Sequence, residues 1–195
     1  LAFKPPSEPL AFVKGEASFI GHRQLTRRPT EVSFMHYECE LAVVIGKACK
    51  NVPRERALDY VLGYTCANDV SARTHQRGDG QWGRAKGFDT FCPIGPWMVT
   101  ADEVADPMNL HMVVRVNGEQ RQETSTAMML HSIVRTIAWC SKFMTLEPGD
   151  LIFTGTPAGV GELKDGDDVS VEIEGLGLIK NKVKAELEKT LKSYK

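Results

Sequence analysis

Glu38-Cys39-Glu40-Leu41-Ala42-Val43-Val44-Ile45-Gly46 is the segment from which the architecture of this chain is read. Leu41 to Ile45 is apolar and rich in β-branched residues, the composition of a buried strand. Side chains alternate along a strand, so Glu38 and Glu40 share one face and Cys39 takes the other. Two carboxylates roughly 7 Å apart on one face repel each other and cost free energy where they are half-buried. A divalent cation removes that cost. Two solvated acids at the fraying end of a strand fit the same residues, so the rest of the chain must separate the two readings.

Working outward, the strand is expected over residues 36–46. Upstream, residues 1–33 are rich in Pro, Gly and polar side chains, with short apolar pieces at 10–13 and 18–20, and read as extended segments and turns. Downstream, Pro53 suits a first helical turn, and Ala57, Leu58, Val61 and Leu62 follow at helical spacing, which predicts a helix ending at Gly63. Residues 64–68 read as a strand ending at Asp69, and 74–90, dense in Gly and Asp, as an exposed loop. Residues 93–99 are extended. A strand over 110–116 meets Asn117-Gly118, a strong two-residue hairpin signal, and returns over 120–122. Thr124-Ser125-Thr126 offers an N-cap to a helix over 128–143, with Met129, Ile133, Ile137 and Cys140 on one face. Pro148-Gly149-Asp150 turns into a strand over 151–153. Residues 154–161 form a glycine-rich loop, 169–173 and 178–183 a final hairpin, and 184–195 a charged surface segment. Strands outnumber helices and do not alternate with them, so the class is a β-rich α+β domain rather than a doubly wound sheet.

The 195 residues suit one domain over 1–195. A formal net charge of −1 gives no electrostatic footprint for nucleic acid or an anionic membrane. No apolar run approaches the ~20 residues of a membrane span. The five cysteines are odd in number and lack C-x-x-C spacing, so they read as reduced thiols of a cytoplasmic protein, neither a disulfide frame nor a zinc site. Position 1 is Leu rather than Met, and the expectation is that a further segment precedes it.

A third carboxylate, Asp69, stands in Cys66-Ala67-Asn68-Asp69-Val70-Ser71-Ala72-Arg73, where a strand passes into irregular chain. Three carboxylates without His or Cys partners make an all-oxygen site suited to Mg²⁺, Mn²⁺ or Ca²⁺ rather than zinc. Taken alone, Asp69 also reads as an N-cap or turn residue. Lys86, in Arg84-Ala85-Lys86-Gly87-Phe88-Asp89, reads by spacing alone as solvated. The loop Thr154-Gly155-Thr156-Pro157-Ala158-Gly159-Val160-Gly161 can bring backbone N–H groups close to an anion, or can be a plain turn. It lacks the Lys-Ser/Thr ending of a nucleotide-binding loop.

Together, His36-Tyr37-Glu38-Cys39-Glu40-Leu41, Asn68-Asp69-Val70-Ser71-Ala72-Arg73, Lys86-Gly87-Phe88-Asp89 and the loop from Thr154 to Gly161 resemble, in order and over nearly the whole chain, the fumarylacetoacetate hydrolase family. The opening Phe3-Lys4-Pro5-Pro6-Ser7-Glu8-Pro9-Leu10 resembles most the bacterial branch that contains the hydroxyheptadienedioate isomerase and the oxopentene-tricarboxylate decarboxylase. The resemblance implies a β-rich mixed-sheet roll with few helices, a homodimer, and one Mg²⁺ or Mn²⁺ held by Glu38, Glu40 and Asp69. It implies that Lys86 is catalytic beside the metal, and that Arg73, Gln76, Gly155, Thr156 and Lys14 bind substrate. It implies 2-oxo acid or enol substrates, with 2-hydroxyhepta-2,4-diene-1,7-dioate isomerisation the leading activity, and C–C hydrolysis of acylpyruvates or oxaloacetate decarboxylation the alternatives. The chain departs from the family pattern at Lys14-Gly15, where Lys-Pro is usual, and at Arg73-Thr74-His75-Gln76, where Arg-Asp-x-Gln is common. The His–Glu pair that hydrolytic members carry on an N-terminal lid would precede Leu1, and His22, His36 and His75 do not match that motif.

Overall fold

The computed structural model describes residues 6–186. Residues 1–5, the start of the opening motif, and 187–195, most of the expected charged segment, lie outside the described residues. The chain forms β1 (Phe19–Ile20), β2 (Leu25–Arg28), β3 (Met35–His36), β4 (Cys39–Ile45), β5 (Val61–Asn68), β6 (Ser71–Ala72), helices α1 (Arg73–Asp79) and α2 (Gly83–Gly87), β7 (Cys92–Thr100), β8 (His111–Val116), β9 (Glu119–Ser125), helix α3 (Ile133–Phe143), β10 (Leu151–Phe153), β11 (Asp168–Ile173) and β12 (Gly177–Ala185). One sheet has the order β1-β7-β5-β4-β10, a second β2-β12-β11-β8-β9, and β3 pairs with β6 apart from both. Most ladders are antiparallel, but β1–β7 and β2–β12 are parallel, so both large sheets are mixed.

All seven residues of β4 are buried. That explains the uninterrupted Leu-Ala-Val-Val-Ile run: the strand has a neighbour on each edge, β5 and β10, and packing on both faces. The core lies where the sheets pack, with Leu41, Val43, Ile45 and Cys66 of the first cluster-mates of Val114, Val171, Ile173 and Ile179 of the second. The Cys66 thiol reaches the carbonyl of Gly177 at 3.2 Å across this layer. The five cysteines are all free and buried, as the odd count implied.

Several elements follow the sequence reading closely. β10 covers the expected residues, and Asn117 and Gly118 both take positive φ, the signature of the tight hairpin turn between β8 and β9. β11 and β12 form the expected final hairpin. Four expectations need correction. The strand expected over 36–46 is broken: β3 ends at His36, and the Asn68 side chain takes the Glu38 N–H at 2.9 Å before β4 begins. The helix expected over 53–63 is a 3₁₀ turn, Arg54–Tyr60, and Gly63 lies inside β5. Gly63 is there because the backbone of β7 passes so close that a Cβ would sit 2.2 Å from the Val99 carbonyl oxygen, a close approach rather than a helix stop. The helix expected over 128–143 starts at Ile133, where Ser132 accepts from the Arg135 N–H; Ser125 caps only a separate 3₁₀ turn, Thr126–Met128. The segment 74–90 is not an exposed loop but holds most of α1 and all of α2, with Ala85 and Lys86 buried.

Candidate active site

Glu38 and Glu40 enter from the start of β4, and Asp69 from the residue after β5. The register that sets Cys39 opposite Asn68 brings the two strand ends together. The Asp69 N–H donates to the Glu38 carbonyl at 3.1 Å, which fixes the junction. Each of the three acids offers a carboxylate oxygen within 4.8 Å of the others, and all three residues are buried. A hard oxygen set of this size, clustered away from water, fits a divalent cation.

Three cations surround these acids. Lys86 is 2% exposed and its Nζ lies 2.6 Å from Glu38 Oε2 and 2.6 Å from Asp69 Oδ2. Lys14 Nζ donates to Asp69 Oδ1 at 2.6 Å and also to the carbonyls of Lys86 and Phe91. Arg73 donates from Nη2 to Glu38 Oε1 at 2.5 Å, from Nη1 to Gln76 Oε1 at 2.8 Å, and from Nε to His36 Nδ1 at 3.2 Å. Burial opposes the ionisation of Glu38, yet Lys86 and Arg73 overcome it and hold its carboxyl below the usual range. Burial also opposes the charge on Lys86, yet Asp69, Glu38 and Glu40 raise its pKa above the ordinary lysine value. Glu40 goes the other way: burial, then Asp69 and Glu38, push its carboxyl well above the usual carboxylate range. Among the described residues Glu40 accepts one hydrogen bond, from the Gly155 N–H at 2.8 Å, so the group that the glycine-rich loop meets is the chain's own carboxyl.

The cluster opens into a cleft of about 850 Å³. Arg73, Gln76, Gly155, Thr156 and Lys86 line it, together with the three acids. Lys14 is not among the lining residues; its ammonium sits behind Asp69. Phe12 lies over Lys86, with Nζ 5.4 Å from the ring centroid, and packs against Trp82 at 5.5 Å, so an aromatic wall shields the ammonium from water.

The sequence reading passed over Gln122, which is 2% exposed on β9. Its Oε1 accepts from the Cys39 N–H at 3.0 Å, and its Nε2 donates to Thr156 Oγ1 at 3.0 Å and to the Pro157 carbonyl at 2.9 Å. It ties β4 to the glycine-rich loop. Because Thr156 Oγ1 accepts from this amide, its own O–H is free to donate into the cleft. A lone Gln in a polar hairpin strand carries no sequence signal for such a role. Arg77, Trp82 and His131 also line the cleft and were not singled out. His131 keeps both ring nitrogens buried and without a hydrogen-bond partner among the described residues.

Comparison with known proteins bears on the family and the fold. The family model described as fumarylacetoacetate (FAA) hydrolase C-terminal matches residues 2–184. A solved 5-carboxymethyl-2-hydroxymuconate delta-isomerase from Mycobacterium smegmatis is similar with a TM-score of 0.91 and 47% identity, over 96% of this chain and 74% of that one. The 4-hydroxyphenylacetate degradation bifunctional isomerase/decarboxylase of Salmonella dublin is 46% identical over 187 residues, 95% of this chain but 44% of the relative. Maleylpyruvate hydrolase from Sphingobium sp. SYK-6, solved in complex with manganese(II) and pyruvate, has a TM-score of 0.84 and 40% identity over 90% of this chain and 64% of its own. The mixed-sheet fold, the order of the four motifs and a family match spanning nearly every described residue agree, and this chain belongs to the fumarylacetoacetate hydrolase family of enzymes.

Proposed function

We propose that this protein is a divalent-metal-dependent enzyme acting on 2-oxo acids and their enols, and that its reaction is the isomerisation of 2-hydroxyhepta-2,4-diene-1,7-dioate. The observation that carries the reading is the buried Lys86 ammonium, wedged between two acids of a three-carboxylate cluster at the floor of an open cleft. Glu38, Glu40 and Asp69 would hold Mg²⁺ or Mn²⁺. When bound, the ion supplies a Lewis-acid charge to the carboxylate and 2-oxygen of a 2-oxo acid. Charge balance supports a dianionic ligand. The three acids are matched by Lys14, Arg73 and Lys86, so a divalent cation leaves two positive charges, which the carboxylate and enolate oxygen of such a substrate cancel.

Each residue then has a task in holding the substrate and stabilising the enolate charge that develops as its conjugated chain isomerises. Lys86 places a preorganised positive charge beside the developing enolate oxygen in a dry site. Thr156, oriented by Gln122, donates its O–H to the substrate carboxylate. Arg73 orients Glu38. Phe12 and Trp82 keep bulk water from Lys86, which strengthens its charge. Lys14 stabilises Asp69 from behind and acts on substrate only through it. The similarity to an isomerase and to an isomerase/decarboxylase favours isomerisation over hydrolysis.

The test is a panel of 2-hydroxyhepta-2,4-diene-1,7-dioate, oxaloacetate and acetylpyruvate, each with Mg²⁺, Mn²⁺ or EDTA. The dienol absorbance should decay well above the spontaneous rate only with metal. Turnover that is unchanged by EDTA would sink the metal assignment, and faster turnover of acetylpyruvate or oxaloacetate would replace isomerisation with hydrolysis or decarboxylation.

The free buried cysteines support residence in a reducing cytoplasm. No helix of the described residues is long and apolar enough to cross a membrane. A homodimer completes the proposal. Leu62 on β5 and Trp97 and Met98 on β7 are 45%, 62% and 39% exposed, apolar surface that a second copy would cover. Light scattering at micromolar concentration should give twice the chain mass; a monomer would contradict the assembly without touching the chemistry.

A further inference from the structure

The wall of the cleft beside the metal cluster presents donors and a free cation. Arg73 sets this polarity. A guanidinium only donates, so each group that it contacts must accept on that side. Gln76 therefore turns Oε1 to Arg73 Nη1 and leaves its NH₂ free. His36 accepts at Nδ1 and keeps Nε2 buried, without a hydrogen-bond partner among the described residues, so it adds no donor to the open wall. Arg77 stands four residues after Arg73 on α1, on the same helix face and one turn along. It is exposed, lines the cleft, and forms no ion pair among the described residues. Glu162, bridged to His36 through the backbone, does not engage it.

We propose that Arg77, on the same cleft wall as the Gln76 NH₂, is a second anion subsite that takes the far carboxylate of a dicarboxylic 2-oxo acid. The inference rests on the 2-oxo acid reading of the metal end and adds to it the residues that select substrate length and charge. Two features call for such a subsite. A cleft of about 850 Å³ is far larger than the carboxylate and 2-oxygen of a small 2-oxo acid need, so the remainder of the substrate extends along the wall. The groups of that wall are donors of fixed polarity with their acceptors already turned away, and a guanidinium matches a carboxylate in bidentate geometry.

Calorimetry on the Mn²⁺-loaded protein tests this with three probes: oxalate, which reaches only the metal end, 2-oxoheptanedioate, and 2-oxoheptanoate, which lacks the far charge. The wild type should bind the dicarboxylate roughly tenfold tighter than the monocarboxylate, a difference of about 1.4 kcal/mol. Arg77→Met should erase that preference and leave oxalate affinity unchanged, and Arg77→Lys should retain part of it. Equal affinities in the wild type, or a preference that survives Arg77→Met, would overturn the subsite. If Arg77→Met loses oxalate as well, the wild-type preference is followed against salt: screening should shrink it, and a salt-independent preference would overturn the proposal. Oxalate that fails to bind the wild type with Mn²⁺ removes the 2-oxo acid reading itself and this inference with it; oxalate binding without a charge preference removes only the subsite.

Discussion

Lys86→Met should lower kcat by roughly 10² or more, the loss expected when a preorganised charge at a developing oxyanion is removed. The thioether keeps much of the volume beneath Phe12 and leaves the aromatic wall in place. Substrate KM should change less than kcat, because the ammonium acts on charge that grows only in the transition state. Mn²⁺ should bind at least as well as before, since Lys86 Nζ no longer competes for Glu38 Oε2 and Asp69 Oδ2. The metal-free variant should be the less stable protein. Removing one partner of a buried ion pair leaves uncompensated charge and costs about 3–5 kcal/mol. Steady-state kinetics, Mn²⁺ titration and thermal melts with and without metal separate these effects. A variant with near-normal kcat takes Lys86 out of the mechanism, whatever its stability.

The parts of the fold that were legible in the sequence are those carried by local pattern. The β4 run, the Asn117-Gly118 hairpin and the strand over 151–153 each rest on periodicity or turn chemistry within a few residues, and each formed where expected. The gathering of Glu38, Glu40 and Asp69 was legible in part: same-face spacing pairs the two glutamates, whereas Asp69 was joined to them by the family resemblance rather than by any local pattern. What failed depended on distant chain. Residues 74–90 read as solvated loop because Gly and Asp dominate them, but Arg84 forks onto Asp79 at 2.7 and 2.5 Å and His75 packs edge-on against Phe88 at 5.4 Å, contacts that hold two short helices no propensity predicts. Lys86 is buried because α2 carries it to the acids, so spacing alone could not distinguish it from a surface lysine. Gly63 looked like a helix stop because the close pass of β7 is invisible in sequence. Gln122 left no trace, since its partners, Cys39 and Thr156, lie 83 and 34 positions away.

Glu40→Gln should cut Mn²⁺ affinity by well over the roughly tenfold to hundredfold that attends loss of even an outer-shell partner. The substitution is nearly isosteric, and its amide oxygen can still accept from the Gly155 N–H, so the loop keeps its anchor. What disappears is one negative ligand and one titrating group. Without metal, burial, Asp69 and Glu38 raise the Glu40 carboxyl well above the usual range, so a cation must displace a proton to use it. Wild-type Mn²⁺ affinity should therefore fall as pH drops through that raised range, and calorimetry in buffers of different ionisation enthalpy should detect proton release. Glu40→Gln should lose that share of the release. The sign for stability follows from the same shift. A carboxyl whose folded pKa lies above its unfolded value destabilises the folded state as pH rises through the folded value. The metal-free wild type should accordingly weaken with rising pH and regain stability with Mn²⁺. The metal-free variant, neutral at this position, should escape that part of the pH penalty and gain little from Mn²⁺. Equal Mn²⁺ affinity in the two proteins would remove Glu40 from the ligand set and, with it, the reading of this cluster as a metal centre.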